Sequence, residues 1–390
     1  MRSQERLLLP NLLGGSQETS TSPEILANLN VAQIHYFTEQ DDGVSLQSQE
    51  TERRLRELGV NVVTISADFP QDDAQGRAGL RVPELDYHQP KYQGWREEMN
   101  PDLWAAAEHK KISPAKREKE LLEQIRGEAH LIRKKIEKQL DQNQIKVVHL
   151  RNLLSLPHLQ PAASLAMYHL IKDRQDIHFV LHHHDFSWEG PAARFNVYGF
   201  PRIEALMQQI TAPNFANTSH IVINPLAQES LKQRGVDAEY IPDGFNFNQQ
   251  VERPVSRTEF LERLNNQDLE LELKEDDLIL GMMTRIVSNK AIELAVQFVA
   301  KLKEQRHWLE GAKIGPNQIE FNPDSRIVLV LPNEADAQQW YKQKIVKHAR
   351  ELGVDLIFLD QSQLESDDRI DFYATYEAMD AILYPSEHEG

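Results

Sequence analysis

Short apolar runs alternate with amphipathic stretches along this chain. Val31 to Thr38 (VAQIHYFT) reads as a strand, Leu46 to Leu58 as a helix closed by Gly59, and Val60 to Ser66 as a second strand. Strand, turn, helix and strand in that order make a βαβ unit, whose crossover requires parallel pairing. Further strands are predicted at Lys146 to Leu150, His178 to Leu181, His220 to Asn224 and Glu239 to Ile241. Helices are predicted between them at Pro161 to Lys172, Arg202 to Ala212 and Leu226 to Gly235. Met1 to Asn30 is polar with little pattern and reads as a leader. Asp68 to Pro114, rich in Pro, Gly and aromatic residues, reads as an insertion packed on the outside, with a short helix around Leu103 to Lys110. Residues 115 to 140 read as a long surface helix whose charges pair along a solvated face.

The second half repeats the alternation. Phe245 to Asp277 is acidic and polar, carries one predicted helix near Thr258 to Asn265, and reads as an interdomain connection. After it come a strand from Leu278, a helix from Ala291 to Gln305, and a strand from Arg326 to Leu331. A helix from Ala335 to Leu352, a strand from Asp355 to Leu359, a helix from Ile370 to Ala378 and a strand from Ala381 to Tyr384 complete the series. The expected fold class is α/β, with two Rossmann-like, doubly wound parallel-sheet domains facing a cleft. Residues 1–30 are the leader, 31–245 the first domain, 246–277 the connection and 278–390 the second domain.

Composition narrows the function. The chain has 390 residues, enough for two ordinary domains, and a net charge of −17, which repels a nucleic-acid backbone. There is no cysteine, so disulfides, thiolate nucleophiles and Cys-ligated zinc are excluded. No apolar run reaches the ~20 residues of a membrane span, and Leu7 to Leu9 is too short for a signal-peptide core. A cytoplasmic protein is the expectation.

The candidate chemistry is concentrated at strand ends. Leu278 to Lys290 (LILGMMTRIVSNK) is an apolar run, then a loop with Arg285 and Lys290, then a helix start, an arrangement suited to an anion. Ala381 to Gly390 (AILYPSEHEG) is a second apolar run ending in a turn with Glu389, a carboxylate able to receive sugar hydroxyls. His182, His183 and His184 lie at the end of a predicted strand. Alternation places His182 and His184 on one face and His183 on the other, so the three cannot converge on one metal, and no metal is expected. His184 falls where open α/β sheets bind ligands. Gly43 and Ser45 open the first helix, within reach of a phosphate, and Arg151 and Asn152 follow the third strand of the first domain.

At these residues the chain resembles the GT-B glycosyltransferases of family 4, which retain anomeric configuration. IPDGFNF resembles the family's IPNGVD, with Asp243 in place of Asn. Arg285 and Lys290 keep its Arg-x4-Lys spacing, Ala291 replacing the usual glycine. PSEHEG resembles the entry to its E-x7-E motif, Glu389 matching the first glutamate, and His184-Asp185 matches its HD. Asp42-Gly43 stands where the family has a Gly-Gly loop. The resemblance implies transfer of a sugar from a nucleoside-diphosphate sugar, the co-substrate, to an unknown acceptor (sugar, polyol or lipid-linked), with no separate cofactor. Arg285 and Lys290 would stabilise the leaving diphosphate, Glu389 would hold donor hydroxyls and His184 would meet the donor sugar. The second glutamate lies past Gly390, so the resemblance also implies a truncated donor domain and weak activity. The alternatives are a non-catalytic GT-B-like binding protein and, behind it, an epimerase or phosphorylase, for which the chain shows no pyridoxal-phosphate lysine motif.

Overall fold

The computed structural model describes residues 29–40, 43–73, 76–100, 113–189, 199–244, 256–265, 272–331, 338–359, 375–376 and 378–386. The chain divides into two compact units, residues 1–246 and 247–389.

In the first unit, seven strands form one parallel sheet. They are β1 (Asn30–Ile34), β2 (Asn61–Ser66), β3 (Ala78–Arg81), β4 (Val147–Arg151), β5 (His178–His183), β6 (Thr218–Val222) and β7 (Glu239–Tyr240). Their order is β3-β2-β1-β4-β5-β6-β7, and every pairing is parallel. The connecting helices are α1 (Gly43–Glu57), α2 (Pro90–Met99), α3 (Pro114–Gln142), α4 (Pro161–Asp173), α5 (Pro201–Ile210) and α6 (Pro225–Gln233). Five of them, α2 to α6, open on a proline, whose missing N–H costs nothing in a first turn. The expected α/β class is observed.

Two readings of this half change. The stretch after Asp68 is part of the sheet: β3 pairs with β2 at its edge, Thr64 opposite Gly79, and α2 buries Tyr92, Trp95 and Met99. β3 is only four residues long and lies among glycines and prolines, which hid the period. The expected helix at 103–110 lies outside the described residues. The long helix α3 does carry a charged outer face, but it is a core helix. Leu121, Leu122, Ile125, Ala129, Ile132, Ile136 and Leu140 recur at helical spacing and are all buried, in one cluster with Leu165 and Leu170 of α4.

The second unit is built on a four-stranded parallel sheet of β8 (Leu278–Gly281), β11 (Ile327–Leu331), β12 (Asp355–Phe358) and β13 (Ala381–Ile382), in the order β12-β11-β8-β13. A small antiparallel hairpin, β9 (Lys313–Ile314) with β10 (Ile319–Glu320), stands apart from it and was not visible in the sequence pattern. Strand alternation splits the core into two layers. Leu278, Leu280 and Leu329 face α8 (Ile292–Glu304) and α9 (Gln339–Glu351), while Ile279, Val328 and Val330 face α7 (Arg257–Asn265). Phe260, Leu261 and Leu264 of α7 are buried in that second layer, so this part of the segment read as a connection belongs to the second unit's core. Gly281 ends β8 because a Cβ there would meet the Met379 sulfur at 2.0 Å.

Candidate active site at the strand ends

Strand order locates the candidate sites. In the second unit the chain runs outward from β8 to β11 and β12, then returns to the far side of β8 for β13. In the first unit it runs from β1 to β2 and β3, then returns to the far side of β1 for β4. At such reversals the connections leave in opposite directions, opening a crevice outside the carboxyl ends of the two strands. The two stretches singled out in the sequence, Leu278 to Lys290 and Ala381 onward, are therefore neighbours: Leu280 pairs with Ala381 and Gly281 with Ile382.

The loop after β8 is pinned by its own backbone. Thr284 N–H donates to the Met282 carbonyl at 2.9 Å, Val287 N–H to that of Arg285 at 2.9 Å, and Lys290 N–H to that of Val287 at 3.0 Å. A single 3-10 turn, Ser288–Lys290, leads to Ala291, whose φ of 49° and ψ of 45° lie in the left-handed region. Glycine adopts that conformation more readily than alanine. Arg285 is exposed, and no described carboxylate pairs with it. Lys290 Nζ lies 5.7 Å from the ring centroid of Tyr384, at the exit of β13. Glu389 lies outside the described residues.

The start of α8 carries a partner of its own. Ile292 N–H donates to the Tyr341 hydroxyl at 2.8 Å, and that hydroxyl donates in turn to Glu293. Burial, with the neighbouring Glu293, pushes the Tyr341 hydroxyl well above its usual range. Burial, the largest single influence, would raise Glu293, but the hydrogen bond from Tyr341, a backbone N–H and the nearby Lys344 together hold the carboxyl below the usual range. A side chain from α9 thus occupies the first free N–H of the helix.

At the first unit's reversal, polar side chains are buried and joined. Arg151 ends β4 and is 1% exposed. It donates to His184 Nε2 at 3.1 Å, to Thr51 Oγ1 at 2.6 Å and to the Gln47 carbonyl at 3.4 Å. Burial lowers its guanidinium to about 10, with Asp243 opposing. Asn152, with φ 55°, turns its side chain back so that Oδ1 accepts from His184 N–H at 2.8 Å. His184 Nδ1 lies 3.5 Å from Asp243 Oδ2. As alternation predicts, His183 goes the other way, its Nε2 lying 3.0 Å from His220 Nδ1 and its ring against Phe186. His182 stays on the His184 side, stacked on that ring at 4.6 Å and 3.2 Å from His149. Burial pushes His149, His182 and His183 well below the usual histidine range, and His220 to about 4.

Gly43 and Ser45 are placed differently from one another. Gly43 is exposed at the start of α1. Ser45 is fully buried and donates to the Phe37 carbonyl at 3.1 Å, tying down the β1–α1 loop. Sequence reasoning missed the partners of His184. His182, His184 and Asp243 bring their ligand atoms within 4.8 Å of one another, a set that would suit a metal by residue type. Arg151 argues against it. A metal on His184 Nδ1 would leave the hydrogen on Nε2, facing an arginine N–H that can only donate.

No family model matches the chain. It is 28% identical over 369 residues to a mannosylglucosylglycerate synthase of Petrotoga mobilis, covering 93% of this chain and 78% of that one. It is 25% identical over 363 residues to the synthase of the same name from Thermotoga maritima, covering 93% and 76%. Among solved structures, it superposes on the catalytic domain of starch synthase IV from Arabidopsis thaliana, with TM-score 0.51, 10% identity and coverage of 93% and 78%. A trehalose-6-phosphate synthase gives 0.51, 10%, 93% and 79%. The chain is a glycosyltransferase of the GT-B fold. This glycosyltransferase requires a sugar donor carrying a nucleotide and an acceptor. No described helix is long and apolar enough to cross a membrane.

Proposed function

We propose that this glycosyltransferase moves a mannosyl group from a nucleoside-diphosphate sugar to a glucosylglycerate-type acceptor, with retention of anomeric configuration as in family 4. The observation that carries the reading is the pairing of β8 with β13. It sets an exposed Arg285 and a Lys290 beside the strand that leads to Glu389, at the reversal point of the second unit. The diphosphate leaves with increasing negative charge, and fixed cations stabilise that charge without a metal. Glu389 would receive hydroxyls of the donor, and His184, with the exposed Gly43 turn, would serve the sugar at the first unit's strand ends. The choice of mannose and of an acidic acceptor rests on the two relatives' shared name, at 28% and 25% identity.

The test is to incubate the protein with GDP-mannose, UDP-glucose or ADP-glucose, each with glucosylglycerate, and to read products by mass spectrometry and the new linkage by NMR. Mannosyl transfer giving an α-linked product is expected. Transfer only from another donor, or a β-linked product, would overturn the substrate or stereochemical assignment.

A further inference from the structure

We propose that the cavity along β3, at the edge of the first unit's sheet, holds the carboxylate-bearing end of the acceptor, and that Arg81 is the residue that recognises the carboxylate. The identity of the acceptor rests on the function proposed above; the recognition of a carboxylate at Arg81 does not.

The cavity has a volume of about 380 Å³, within the range of small-ligand pockets, roughly 300–1,000 Å³. Its shape begins with a glycine. A Cβ on Gly79 would meet the Phe69 ring at 2.3 Å, so the missing side chain lets that ring lie across the edge strand. Pro70 and Leu80 extend the apolar wall, and Asp73 and Arg77 form a polar one. Arg81 ends β3, opposite Ser66 at the end of β2. It therefore stands at the carboxyl ends of the strands, where open α/β sheets bind ligands.

The two arginines of this cavity are used differently. Arg77 is engaged by carboxylates: its Nη2 donates to Asp73 at 2.8 Å and to Glu39 at 3.0 Å, and its Nε to Asp73 at 3.1 Å. Arg81 is exposed, donates Nε–H to the Ala67 carbonyl at 3.1 Å, and has no carboxylate partner among the described residues. The acid that follows β2, Asp68, is taken up elsewhere. It accepts from Thr38 N–H at 2.8 Å, Glu39 N–H at 3.0 Å and Ser66 Oγ at 2.8 Å, pinning the β1–α1 loop. The bond from Nε fixes the plane of the Arg81 guanidinium and leaves its two Nη groups to meet an anion. A carboxylate fits that end of the group with two parallel hydrogen bonds. In a chain of net charge −17, an acidic acceptor is repelled by the overall field and needs such a local cation. The apolar wall of Phe69, Pro70 and Leu80 suits the carbon face of a sugar ring.

Carboxylate recognition is read from the Arg81 Nε–H signal of the 15N-arginine-labelled protein, assigned with Arg81→Gln. D-glycerate should move that signal saturably, and glycerol should not. No movement with D-glycerate, or equal movement with both, would overturn the proposal. Saturation by inorganic phosphate at a lower concentration than by glucosylglycerate would mark a phosphate site and overturn the acceptor assignment. With GDP-mannose as donor, the ratio of kcat/KM for glucosylglycerate to that for glucosylglycerol, which lacks the carboxylate, is then compared. It should fall at least about tenfold in Arg81→Gln, the loss of a hydrogen-bonded charge pair, chiefly through KM, and recover in part in Arg81→Lys. An unchanged ratio in folded Arg81→Gln would overturn the assignment. Should Arg81→Gln not fold, Arg81→Lys and the wild-type titrations still decide the point. If the wild type turns over none of the donors, the proposed function fails while the spectra still decide whether Arg81 takes a carboxylate.

Discussion

The two units bury charge at opposite edges of their sheets. In the first, Arg151 and the histidines sit at the carboxyl ends of β4 and β5, where ligands bind in open sheets. In the second, the buried ion pair is at the amino ends. Asp380, just before β13, accepts from Arg257 Nη1 at 2.9 Å and from Ile279 N–H at 2.8 Å, while Asp277, just before β8, accepts from Arg326 N–H at 2.6 Å. The carboxyl ends of that sheet instead release an exposed arginine. A buried charge at the amino edge can only hold strands in register. The same chemistry at the carboxyl edge faces a crevice, and its cost to folding is a reason to look for function.

Acid should separate the units most strongly. His220 falls to about 4 from 6.5, and His149, His182 and His183 lie lower than usual for the same reason, burial. Each is neutral when folded and gains a proton on unfolding once the pH drops below the ordinary value. Their stabilisation is complete above about pH 6.5 and is lost as the pH falls toward 4. His220 alone would account for about 3 kcal/mol at pH 4. None of the described histidines of the second unit is buried. Hydrogen exchange at pH 7 and pH 4.5 should show protection lost first in β4, β5 and β6; first loss in β8 and β11 would contradict the comparison.

A smaller but still large effect is expected from Asp380→Ala, which strands a nearly buried Arg257. Urea unfolding should register a loss of about 3–5 kcal/mol confined to the second unit, and a loss below 1 kcal/mol would show that the pair contributes little. Smallest is Ala291→Gly. Relief of a left-handed alanine, about 1–2 kcal/mol, is set against the lost methyl contact and greater freedom of the unfolded chain. Stability should stay level or rise by up to about 1 kcal/mol, and a clear fall in melting temperature would place this residue outside the left-handed region.

Local pattern carried most of the fold. The β1–α1–β2 unit, the alternation through β6 and the β8–loop–α8 unit were legible because their periods are clean over several turns. What was lost needed distance. Tyr341 lies 49 residues from Ile292, and no local signal shows that it closes the helix start. Arg151 and His184 are joined only because β4 pairs with β5, Arg151 opposite His182. The left-handed Asn152 that holds His184 is likewise invisible without backbone geometry. The helix α7 was misread as part of a linker because acidic residues surround its three apolar ones, Phe260, Leu261 and Leu264.

The central claim is that the exposed cation after β8 serves a ligand rather than the fold. Arg285→Ala tests it most directly, by calorimetric titration with nucleoside diphosphates alongside turnover and thermal unfolding. Turnover should fall about a hundredfold, corresponding to ~3 kcal/mol of lost charge stabilisation, and diphosphate affinity should fall too, with the melting temperature unchanged. Unchanged affinity and turnover in a folded Arg285→Ala protein would contradict the account.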